Sequence, residues 1–408
     1  MNKPMNQFYK KSVEERKNAL KSINLYDQSL DIKADESVFN NLIENYITTY
    51  EVPLGVAPDF LIDGKIYHIP MATEEPSVIA GASHAAKIIM RNGGFKIESL
   101  ERLMIGQIIF KHVENQNALK NYLEENKQTL FEVANKAHPS IYELGGGLKD
   151  FTVVIKPHGF VTLYATINCL DAMGANTINT ILEALASYIT SDFKSEVLMS
   201  ILSNLATESL VTASVRIHPN TLNHSETIAD DIANASLYAS IDPFRGATHN
   251  KGVMNGITAL MLATGNDTRA IEASAHAYAS ITGNYLPLTT WTKMDGYLVG
   301  KITIPLPLGI IGGSMGILPK VKLSKKILNI QSAKELMMVA ACLGLAQNFA
   351  ALYALTTDGI NKGHMRLHAR NVAIQAGALP DEVTSVVNHM LKEKRITVEE
   401  AKAFLSNR

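Results

Sequence analysis

Residues 332–359, SAKELMMVAACLGLAQNFAALYALTTDG, decide how this chain folds. Ser332 and Glu335 have the spacing of a capping box, in which two side chains bond backbone N–H groups at the start of a helix. Gly359 is typical of the residue that ends one. The sequence between them is almost wholly apolar, so it predicts a buried helix of about 25 residues. Such a helix indicates a large domain built around it.

The composition is that of an ordinary globular protein. Of 408 residues, 46% are hydrophobic and 19% are charged, and a chain of this length predicts two or three domains. The 38 basic residues nearly cancel the 39 acidic ones, which argues against a nucleic-acid partner or an anionic membrane surface. Cys169 and Cys342 stand in apolar runs, as expected of packed thiols in a reducing cytoplasm.

Two further segments bear on location. Residues 1–17 are polar and lack the apolar stretch of a secretory signal. The apolar run at residues 302–318 is broken by Pro305, Pro307 and several glycines, whereas a membrane span needs about 20 mostly apolar residues without such breaks. We therefore expect a soluble, cytoplasmic protein with no membrane segment.

Turn and helix signals organise the first part of the chain. Asp63 and Gly64 form the strongest short turn signal and predict a hairpin over residues 60–70. Pro76 precedes an apolar-periodic run and predicts a helix over residues 78–90, because proline is favoured at the first helical position. Glu75 is therefore expected at the start of a helix.

The middle and the end of the chain follow different patterns. A polar helical segment at residues 114–136, two strands and then a helix up to about residue 190 predict a small α+β domain near residues 103–203. After the central helix, the sequence predicts two helices in a tail, one beginning near Pro380 and one at Thr397.

Four polar stretches, far apart in sequence, carry residues that chemistry on a carbonyl group requires. They are TEEPS with Glu75, THNKG with Lys251, TGNDT with Asp267 and KGHM with His364. An acid, a cation, a charge partner and an imidazole together can hold a carbonyl oxyanion and move protons around it.

Each of the four also has a plainer explanation when it is taken singly. Glu75 would complement a helix dipole, and Lys251 would lie solvated in a loop. Asp267 would cap the following helix, and His364 would end a turn. The glycine-rich stretch DAMGAN at residues 171–176 is not the G-x-G-x-x-G fingerprint, so it is either a plain helix start or a helix N-terminus that binds a pyrophosphate.

As a set, these motifs resemble the class II, bacterial-type 3-hydroxy-3-methylglutaryl-CoA (HMG-CoA) reductases. The resemblance covers almost the whole chain, from about Phe8 to the tail. It is carried by PLGVA at 53–57, PMATEEPSV at 70–78, GGG at 145–147, DAMGANTINT at 171–180, ILSN at 201–204, ATHNKGVMNG at 247–256, ATGNDTRA at 263–270, GLAQN at 344–348 and GHM at 363–365.

The resemblance implies an α+β fold. It implies a large domain around the long central helix (1–102 and 204–358), an inserted small ferredoxin-like dinucleotide-binding domain (103–203) and a C-terminal helical flap (359–408). It also implies a homodimer, or a higher oligomer, with active sites between subunits, and no metal.

The implied reaction interconverts HMG-CoA and mevalonate plus CoA in the mevalonate pathway of isoprenoid precursor synthesis. Two hydrides come from NAD(P)H, through a thiohemiacetal and mevaldehyde. Lys251 would hold the oxyanion, and Asp267 would orient that lysine and balance its charge. His364 would protonate the departing CoA thiolate, and a buried Glu75 would supply the proton for reducing the aldehyde.

The resemblance also carries over binding residues. The substrate positions are Ser77, Arg245, Asn255, Gln347 and Asn348. The cofactor positions are Asp171, Met173, Gly174, Asn176 and Asn204. Arg245 is the natural partner of the substrate's terminal carboxylate. Members that prefer NAD place an aspartate before the triple glycine, whereas residues 137–140 here are AHPS, so we expect NADPH to be preferred over NADH.

Two other functions stay open at this stage. One is a lyase or hydrolase of CoA thioesters, with the same lysine and histidine but no hydride donor. The other is a non-catalytic module that binds CoA or a nucleotide. DAMGAN and Asn204 favour the oxidoreductase over the first, and the intact acid, lysine and aspartate argue against the second.

Overall fold

The computed structural model describes residues 4–222, 226–357 and 359–406, and the side chains of residues 314 and 360–367 lie outside that description. Its α-helices in these ranges are α1 (Val13–Lys21), α2 (Glu36–Asn40), α3 (Val78–Arg91), α4 (Gln116–Glu125), α5 (Lys127–Ala137), α6 (Pro139–Glu143), α7 (Ala175–Asp192), α8 (Glu226–Ile241), α9 (Pro243–Thr264), α10 (Thr268–Ala279), α11 (Pro319–Leu328), α12 (Ala333–Thr356), α13 (Ile360–Gln375), α14 (Val383–Lys392) and α15 (Val398–Ser406).

The strands are β1 (Leu54–Ile62), β2 (Lys65–Ala72), β3 (Lys96–Leu100), β4 (Met104–Lys111), β5 (Gly147–Lys156), β6 (Phe160–Asn168), β7 (Glu196–Leu202), β8 (Leu210–Ile217), β9 (Thr289–Met294) and β10 (Tyr297–Pro305). They form three antiparallel sheets, with the orders β1-β2, β3-β8-β10-β9 and β5-β6-β4-β7. The predicted hairpin is confirmed, because Asp63 and Gly64 both take positive φ between β1 and β2.

Helix α12 is the predicted central helix. Leu336, Leu343 and Phe349 are among the many α12 residues that are fully buried, and the helix packs against α3, α8 and α9 and against strands β8 and β10. It passes a test of length and mean hydropathy for a membrane span, but 78% of the tested window is buried inside the protein. Core helices of soluble proteins pass the same test, and the buried residues of α12 belong to the apolar cluster that also contains residues of α3, α9, β8 and β10.

The capping box at the start of α12 forms only in part. Ser332 accepts a hydrogen bond from the backbone N–H of Glu335, as predicted. The carboxylate of Glu335 instead accepts from the backbone N–H of Gln331 (2.7 Å) and the hydroxyl of Tyr67 (2.6 Å), and it pairs with Lys65. Glu335 therefore ties the helix start to strand β2. The helix has 24 residues and ends at Thr356, and the backbone N–H of Gly359 donates to the carbonyl oxygen of Ala354 (2.9 Å) at its end.

The second four-stranded sheet carries its own core. In chain order its elements run β4, α4 and α5, β5, β6, α7 and β7, which with the strand order β5-β6-β4-β7 is a ferredoxin-like arrangement. Gly106 of β4 lies under α7, where a Cβ atom would come within 2.6 Å of Leu182. A glycine is needed there for the close approach of helix and sheet. The predicted α+β fold class is confirmed.

The prediction that Lys251 lies in a loop is wrong, because residues 243–264 form one helix, α9. The glycines that suggested a loop permit close helix packing instead. A Cβ at Gly256 would come within 3.1 Å of Leu343 on α12, and one at Gly246 within 3.0 Å of the carbonyl oxygen of Ala239.

Two further local predictions need correction. The turn predicted around His364 is helical, because the backbone of residues 360–375 forms α13, so the described tail contains α13 as well as the two predicted helices. The tail helices pack on one another through a small apolar cluster that includes Val372, Val386 and Met390. Pro76 does not start α3, because Ser77 is the N-cap and Val78 is the first helical residue.

Candidate active site

Glu75 lies in the short connection between β2 and α3. Its backbone N–H donates a hydrogen bond to the hydroxyl of Thr73 (3.2 Å). Ser77 takes a left-handed φ of 75° with no side-chain cap bond, so the chain turns sharply into α3. The side chain of Glu75 is 38% exposed. The expected burial of this carboxyl group is therefore not found within one chain, because the cleft that contains it is open.

Lys251 meets Glu75 in this cleft. The Nζ atom of Lys251 donates to both carboxylate oxygens of Glu75, at 2.8 and 3.1 Å. The lysine side chain is 60% exposed, and an ion pair as exposed as this one adds little to stability. The pairing therefore matters for chemistry, since it places an acid and a cation at the same point of the cleft.

The cleft has a volume of about 250 Å³. It is formed by the β2–α3 connection, one face of α9, and α10. Its titratable and amide side chains are Glu74, Glu75, Lys251, Asn255, Glu272 and His276. Asn255, predicted to bind substrate, thus lies in the same cleft as the Glu75–Lys251 pair.

Glu272 and His276 are cleft residues that the sequence motifs did not identify. Glu272 accepts a hydrogen bond from the hydroxyl of Thr258 (2.5 Å), and its second oxygen lies 3.1 Å from Nε2 of His276. The Nδ1 atom of His276 lies 2.8 Å from the hydroxyl of Tyr285, whose pKa is raised by burial. A glutamate and a histidine four residues apart on a predicted helix would have been a usable signal.

Asp267 is the N-cap of α10, the plainer of the two explanations. Its Oδ1 atom accepts from the backbone N–H groups of Arg269 and Ala270, and it pairs with the Arg269 guanidinium at 3.3 Å. In the part of the chain that the structure describes, Lys251 bonds Glu75 and makes no ion pair with Asp267. One chain therefore brings Glu75 and Lys251 together but leaves Asp267 with its own helix.

Arg245 lies near the start of α9, half-buried. Burial lowers the pKa of its guanidinium group. Among the described residues it has no ion pair with a carboxylate. A guanidinium that has lost water without gaining a counter-ion is suited to bind an anionic ligand.

Gln347 and Asn348 lie in α12 and are buried. The Oδ1 atom of Asn348 accepts from the indole N–H of Trp291 (2.8 Å) and the hydroxyl of Thr289 (2.9 Å). Its capacity to accept is thus used within the core. The side-chain oxygen of Gln347 has no partner among the described residues, and it lies beside α9 at Gly256. Of the two amides, only Gln347 retains a side-chain oxygen without a hydrogen-bond partner among the described residues.

Hydrogen bonds from Arg102 and from the start of α12 hold the DAMGAN segment in place. Buried Arg102 donates to the carbonyl oxygens of Leu170 and Ala172, both at 2.8 Å. The carboxylate of Asp171 accepts from the backbone N–H of Ala333 at the start of α12 (2.7 Å). No sequence motif identified Arg102, because its role depends on a contact with residues about 70 positions away.

Gly174 is the N-cap of α7, with φ of 98° and no side-chain bond to the first N–H groups of the helix. A Cβ atom there would lie 2.2 Å from the sulfur of Cys169, so glycine is required. Asn176 lies exposed in the first turn of α7. The uncapped N–H groups can therefore receive an anion.

The remaining cofactor candidates lie near this helix. The backbone N–H of Leu202 donates to the side chain of Asn179 in α7 (3.2 Å), which brings the end of β7 to the helix. Asn204 follows two residues later and is exposed. Met173 precedes Gly174 and is partly buried. The side chain of His364 lies outside the described part of the structure, and its backbone is in α13.

Comparison with known proteins gives consistent results. The family model of hydroxymethylglutaryl-coenzyme A reductase matches residues 12–369. A 3-hydroxy-3-methylglutaryl-coenzyme A reductase of Archaeoglobus fulgidus is 47% identical over 410 residues, covering 98% of this chain and 93% of that protein. A probable 3-hydroxy-3-methylglutaryl-coenzyme A reductase of Borreliella burgdorferi is 38% identical, covering 90% of this chain and 85% of that protein.

Solved structures agree with these relatives. The 3-hydroxy-3-methylglutaryl-coenzyme A reductase of Streptococcus pneumoniae superposes with a TM-score of 0.84 at 43% identity, over 99% of both chains. A class II reductase structure from the same organism, bound to NADPH in open conformations, has a TM-score of 0.83 at 44% identity, covering 86% of this chain and all of that chain. On this evidence the chain belongs to the hydroxymethylglutaryl-coenzyme A reductase family, whose members are oxidoreductases of the mevalonate pathway.

Proposed function

We propose that this chain reduces HMG-CoA to mevalonate and CoA with two hydrides, through a thiohemiacetal and mevaldehyde, and that Lys251 holds the reacting oxygen in both steps. The observation that carries this proposal is the contact of the Lys251 ammonium with the Glu75 carboxylate in the open cleft. A cation next to an acid suits a reaction in which a carbonyl oxygen first gains negative charge and then a proton.

Lys251 stabilises the negative charge that develops on the carbonyl oxygen as each hydride arrives. Its side chain is free at the cleft apart from Glu75, so a substrate oxygen can join or replace that carboxylate as its partner. Removal of one donor of this kind typically reduces kcat by about 10²–10³. Lys251 thus acts in both halves of the reaction.

The two protons have different sources in this proposal. Glu75 protonates the oxygen formed when the aldehyde is reduced, since it lies beside the ammonium that holds that oxygen. His364 protonates the CoA thiolate as the thiohemiacetal collapses. Asp267 balances the charge of Lys251 in the assembled enzyme, where α10 shares the cleft wall with α9.

Binding of the substrate's free carboxylate is assigned to Arg245, whose half-buried guanidinium lacks a carboxylate partner within the described residues. Ser77, Asn255 and Gln347 would supply hydrogen bonds to the hydroxyl and thioester groups, and the buried Asn348 supports this surface from inside. The unpaired oxygen of Gln347 and the position of Asn255 in the cleft support this assignment.

The dinucleotide fits the start of α7. The backbone N–H groups after Gly174 have no side-chain cap and suit a pyrophosphate. Asp171, Met173, Asn176 and Asn204 are the proposed side chains around it, which is supported by the bond between Leu202, two residues before Asn204, and Asn179 of α7. The nicotinamide supplies the hydride when it is bound. We further propose that residues 103–203 form the cofactor domain within the large domain (1–102 and 204–358), with residues 359–408 as the flap. A separate buried cluster around α7 supports that division.

NADPH is the proposed cofactor, in preference to NADH. His138 lies beside the first turn of α7, with Nε2 3.4 Å from the hydroxyl of Thr177 and Nδ1 3.3 Å from that of Ser140. This group of donors, without a carboxylate in residues 137–140, is compatible with a 2′-phosphate. The related S. pneumoniae reductase was solved with NADPH bound.

We propose that the enzyme is a cytoplasmic homodimer, with the cleft completed by the partner subunit. The exposed side chains of Leu237, Tyr238, Ile241 and Phe244 form an apolar surface on α8 and the start of α9, directly before Arg245. Apolar patches of this kind mark protein interfaces. Light scattering should give twice the mass of one chain, and a monomer that is fully active would contradict this part of the proposal.

The activity is tested by following NADPH absorbance after HMG-CoA is added. We expect two NADPH to be oxidised for each HMG-CoA, with release of one free thiol. Release of the thiol without oxidation of NADPH would instead indicate a hydrolase, and consumption of HMG-CoA with neither release of thiol nor oxidation of NADPH would indicate a lyase. Binding of CoA with neither change would indicate a non-catalytic module.

A further inference from the structure

His249 is a buried imidazole two residues before Lys251 in α9. It is 1% exposed, so association with a second subunit cannot change its surroundings greatly. Its Nε2 atom lies 2.6 Å from the hydroxyl oxygen of Thr289. Its Nδ1 atom is buried and has no hydrogen-bond partner among the described residues. A buried polar atom without a partner is unusual and requires an explanation.

The protonation of His249 follows from its neighbours. The indole N–H of Trp291 can only donate, so the amide atom 2.8 Å from it must be the oxygen of Asn348. That oxygen can only accept, so the Thr289 hydroxyl at 2.9 Å must donate its single proton to it. The oxygen of Thr289 is then the acceptor for Nε2 of His249, which must carry a proton.

His249 is therefore protonated on Nε2 and has a lone pair on Nδ1. A second proton, on Nδ1, would place an unpartnered positive charge in the core. Burial, followed by the charge of Arg245, lowers the pKa of His249 to about 4, and the Thr289 backbone opposes this in part. The groups facing the ring from β9 and α12, Thr289 and Asn348, carry no charge. The imidazole is neutral at physiological pH.

Arg245 is the donor that we consider for this lone pair, although the structure shows no hydrogen bond between the two side chains. It lies four residues before His249 in α9, and side chains four residues apart share one face of a helix. The positive charge of Arg245 contributes to the lowered pKa of the imidazole. Its guanidinium group has no carboxylate partner within the described residues. A guanidinium has five N–H donors, so one can bond Nδ1 while two others grip a carboxylate.

We propose that His249 is a positioning residue for Arg245: its Nδ1 lone pair accepts a guanidinium N–H and aims the fork of Arg245 at the free carboxylate of the acyl substrate. The hydrogen bonds that join Trp291, Asn348, Thr289 and His249 fix the imidazole in the core, and the imidazole in turn would restrict the position of Arg245. This proposal rests on the proposed function, in which Arg245 binds the substrate carboxylate. It also gives the buried Asn348 a role in substrate binding without direct contact.

Two substitutions test the roles of the two ring nitrogens separately. In His249→Asn the side-chain oxygen can occupy the place of Nδ1, and in His249→Gln the side-chain nitrogen can occupy the place of Nε2. We expect His249→Gln to raise KM for HMG-CoA roughly tenfold, as for loss of a bond to a charged group, while KM for NADPH is unchanged. His249→Asn should raise KM for HMG-CoA less. Equal values of KM for the two variants would overturn the proposal.

A double-mutant cycle excludes a merely structural effect. In the Arg245→Gln background, His249→Gln should cause no further rise in KM for HMG-CoA, because the arginine through which it acts is gone. A tenfold rise that persists in that background would contradict the role assigned to His249.

Nitrogen NMR of the histidine-labelled wild-type enzyme tests the proposal without any activity, so a failure here is distinct from a failure of the proposed function. The resonances of His249 are assigned through correlations with its own backbone atoms, which requires no substitution of His249. We expect a protonated Nε2 and an unprotonated Nδ1 at neutral pH, and we expect Arg245→Gln to shift the Nδ1 resonance. A protonated Nδ1, or a resonance that Arg245→Gln leaves unmoved, would refute the proposal even if both His249 variants fail to fold.

Discussion

The carboxylate of Asp171 accepts a hydrogen bond from the backbone N–H of Ala333, the first residue of α12. The segment that leads into the proposed cofactor helix is thereby fixed to the start of the central helix. The carbonyl oxygen of Asp171 also accepts from the backbone N–H of Ile310 (2.8 Å), and a Cβ at Gly309 would lie 2.4 Å from the backbone nitrogen of Met173. The start of the proposed cofactor helix is therefore linked to the core around α12 through Asp171.

Replacement of Asp171 tests this link. Asp171→Ala should lower the free energy of unfolding by about 1 kcal/mol, as for loss of a helix cap, and should raise KM for NADPH. Asp171→Asn keeps an acceptor oxygen for the N–H of Ala333 and should retain most of the stability. Urea unfolding and steady-state kinetics measure both effects. Equal losses of stability in the two variants would contradict the role of this bond.

Replacement of His364 separates the two halves of the reaction. His364→Ala should lower kcat with HMG-CoA by about 10² or more, because the thiolate leaves without a general acid. Reduction of free mevaldehyde should be nearly unaffected, because no thiolate leaves in that step. His368, also on α13 and four residues further on, provides a control in His368→Ala. An equal loss on both substrates would disprove the assigned role of His364.

The network around Glu272 predicts a contribution to turnover. Glu272→Gln removes the negative charge and replaces one of the two acceptor oxygens, which face the hydroxyl of Thr258 and Nε2 of His276, by a donor NH2 group. We expect kcat to fall roughly tenfold, since loss of a charged hydrogen-bond partner amounts to about 1.5–3 kcal/mol. Thr258→Val removes only one of the two bonds and should have the smaller effect. A normal kcat for Glu272→Gln would show that the network is structural.

Cofactor preference should respond to charge at His138. His138→Asp places a carboxylate beside the first turn of α7, where it would repel a 2′-phosphate. We expect kcat/KM to fall at least about tenfold with NADPH and to rise or stay constant with NADH. His138→Asn, which is uncharged, is the control. A wild-type enzyme that uses NADH with the greater kcat/KM would overturn the proposed preference.

Local chemistry explains which elements could be predicted from the sequence. The hairpin at Asp63 and Gly64 and the start of α12 at Ser332 depend on turn and cap residues adjacent to them, and both are confirmed. The helical state of α9 was missed because its glycines suggested a loop. Gly256 is instead needed for the close approach of α9 to Leu343, which is far away in sequence. Spacing alone cannot distinguish a glycine that bends the chain from one that lets two helices approach.

In the candidate site, too, some residues could be predicted from local sequence and others depend on contacts between distant elements. The motifs identified Glu75 and Lys251, which meet in the cleft, because each lies in a rare polar stretch within an apolar chain. Glu272 and His276 were missed: their spacing of four residues was a local signal, but their place in the cleft depends on the packing of α10 beside α9. The buried Asn348 was identified as a binding residue, yet its partners Thr289 and Trp291 could not be inferred before the sheet was known.

The most direct test of the central claim compares Lys251→Ala with wild type on HMG-CoA and on mevaldehyde. Lys301 lies on β10, and its Nζ atom pairs with the carboxylate of Glu98 at 2.6 Å. Lys301→Ala is therefore a matched control. If Lys251 holds the oxyanion in both hydride transfers, Lys251→Ala should lose about 10²–10³ in kcat on both substrates, and the control should lose nothing. A Lys251→Ala enzyme that reduces either substrate at the wild-type rate would contradict the account.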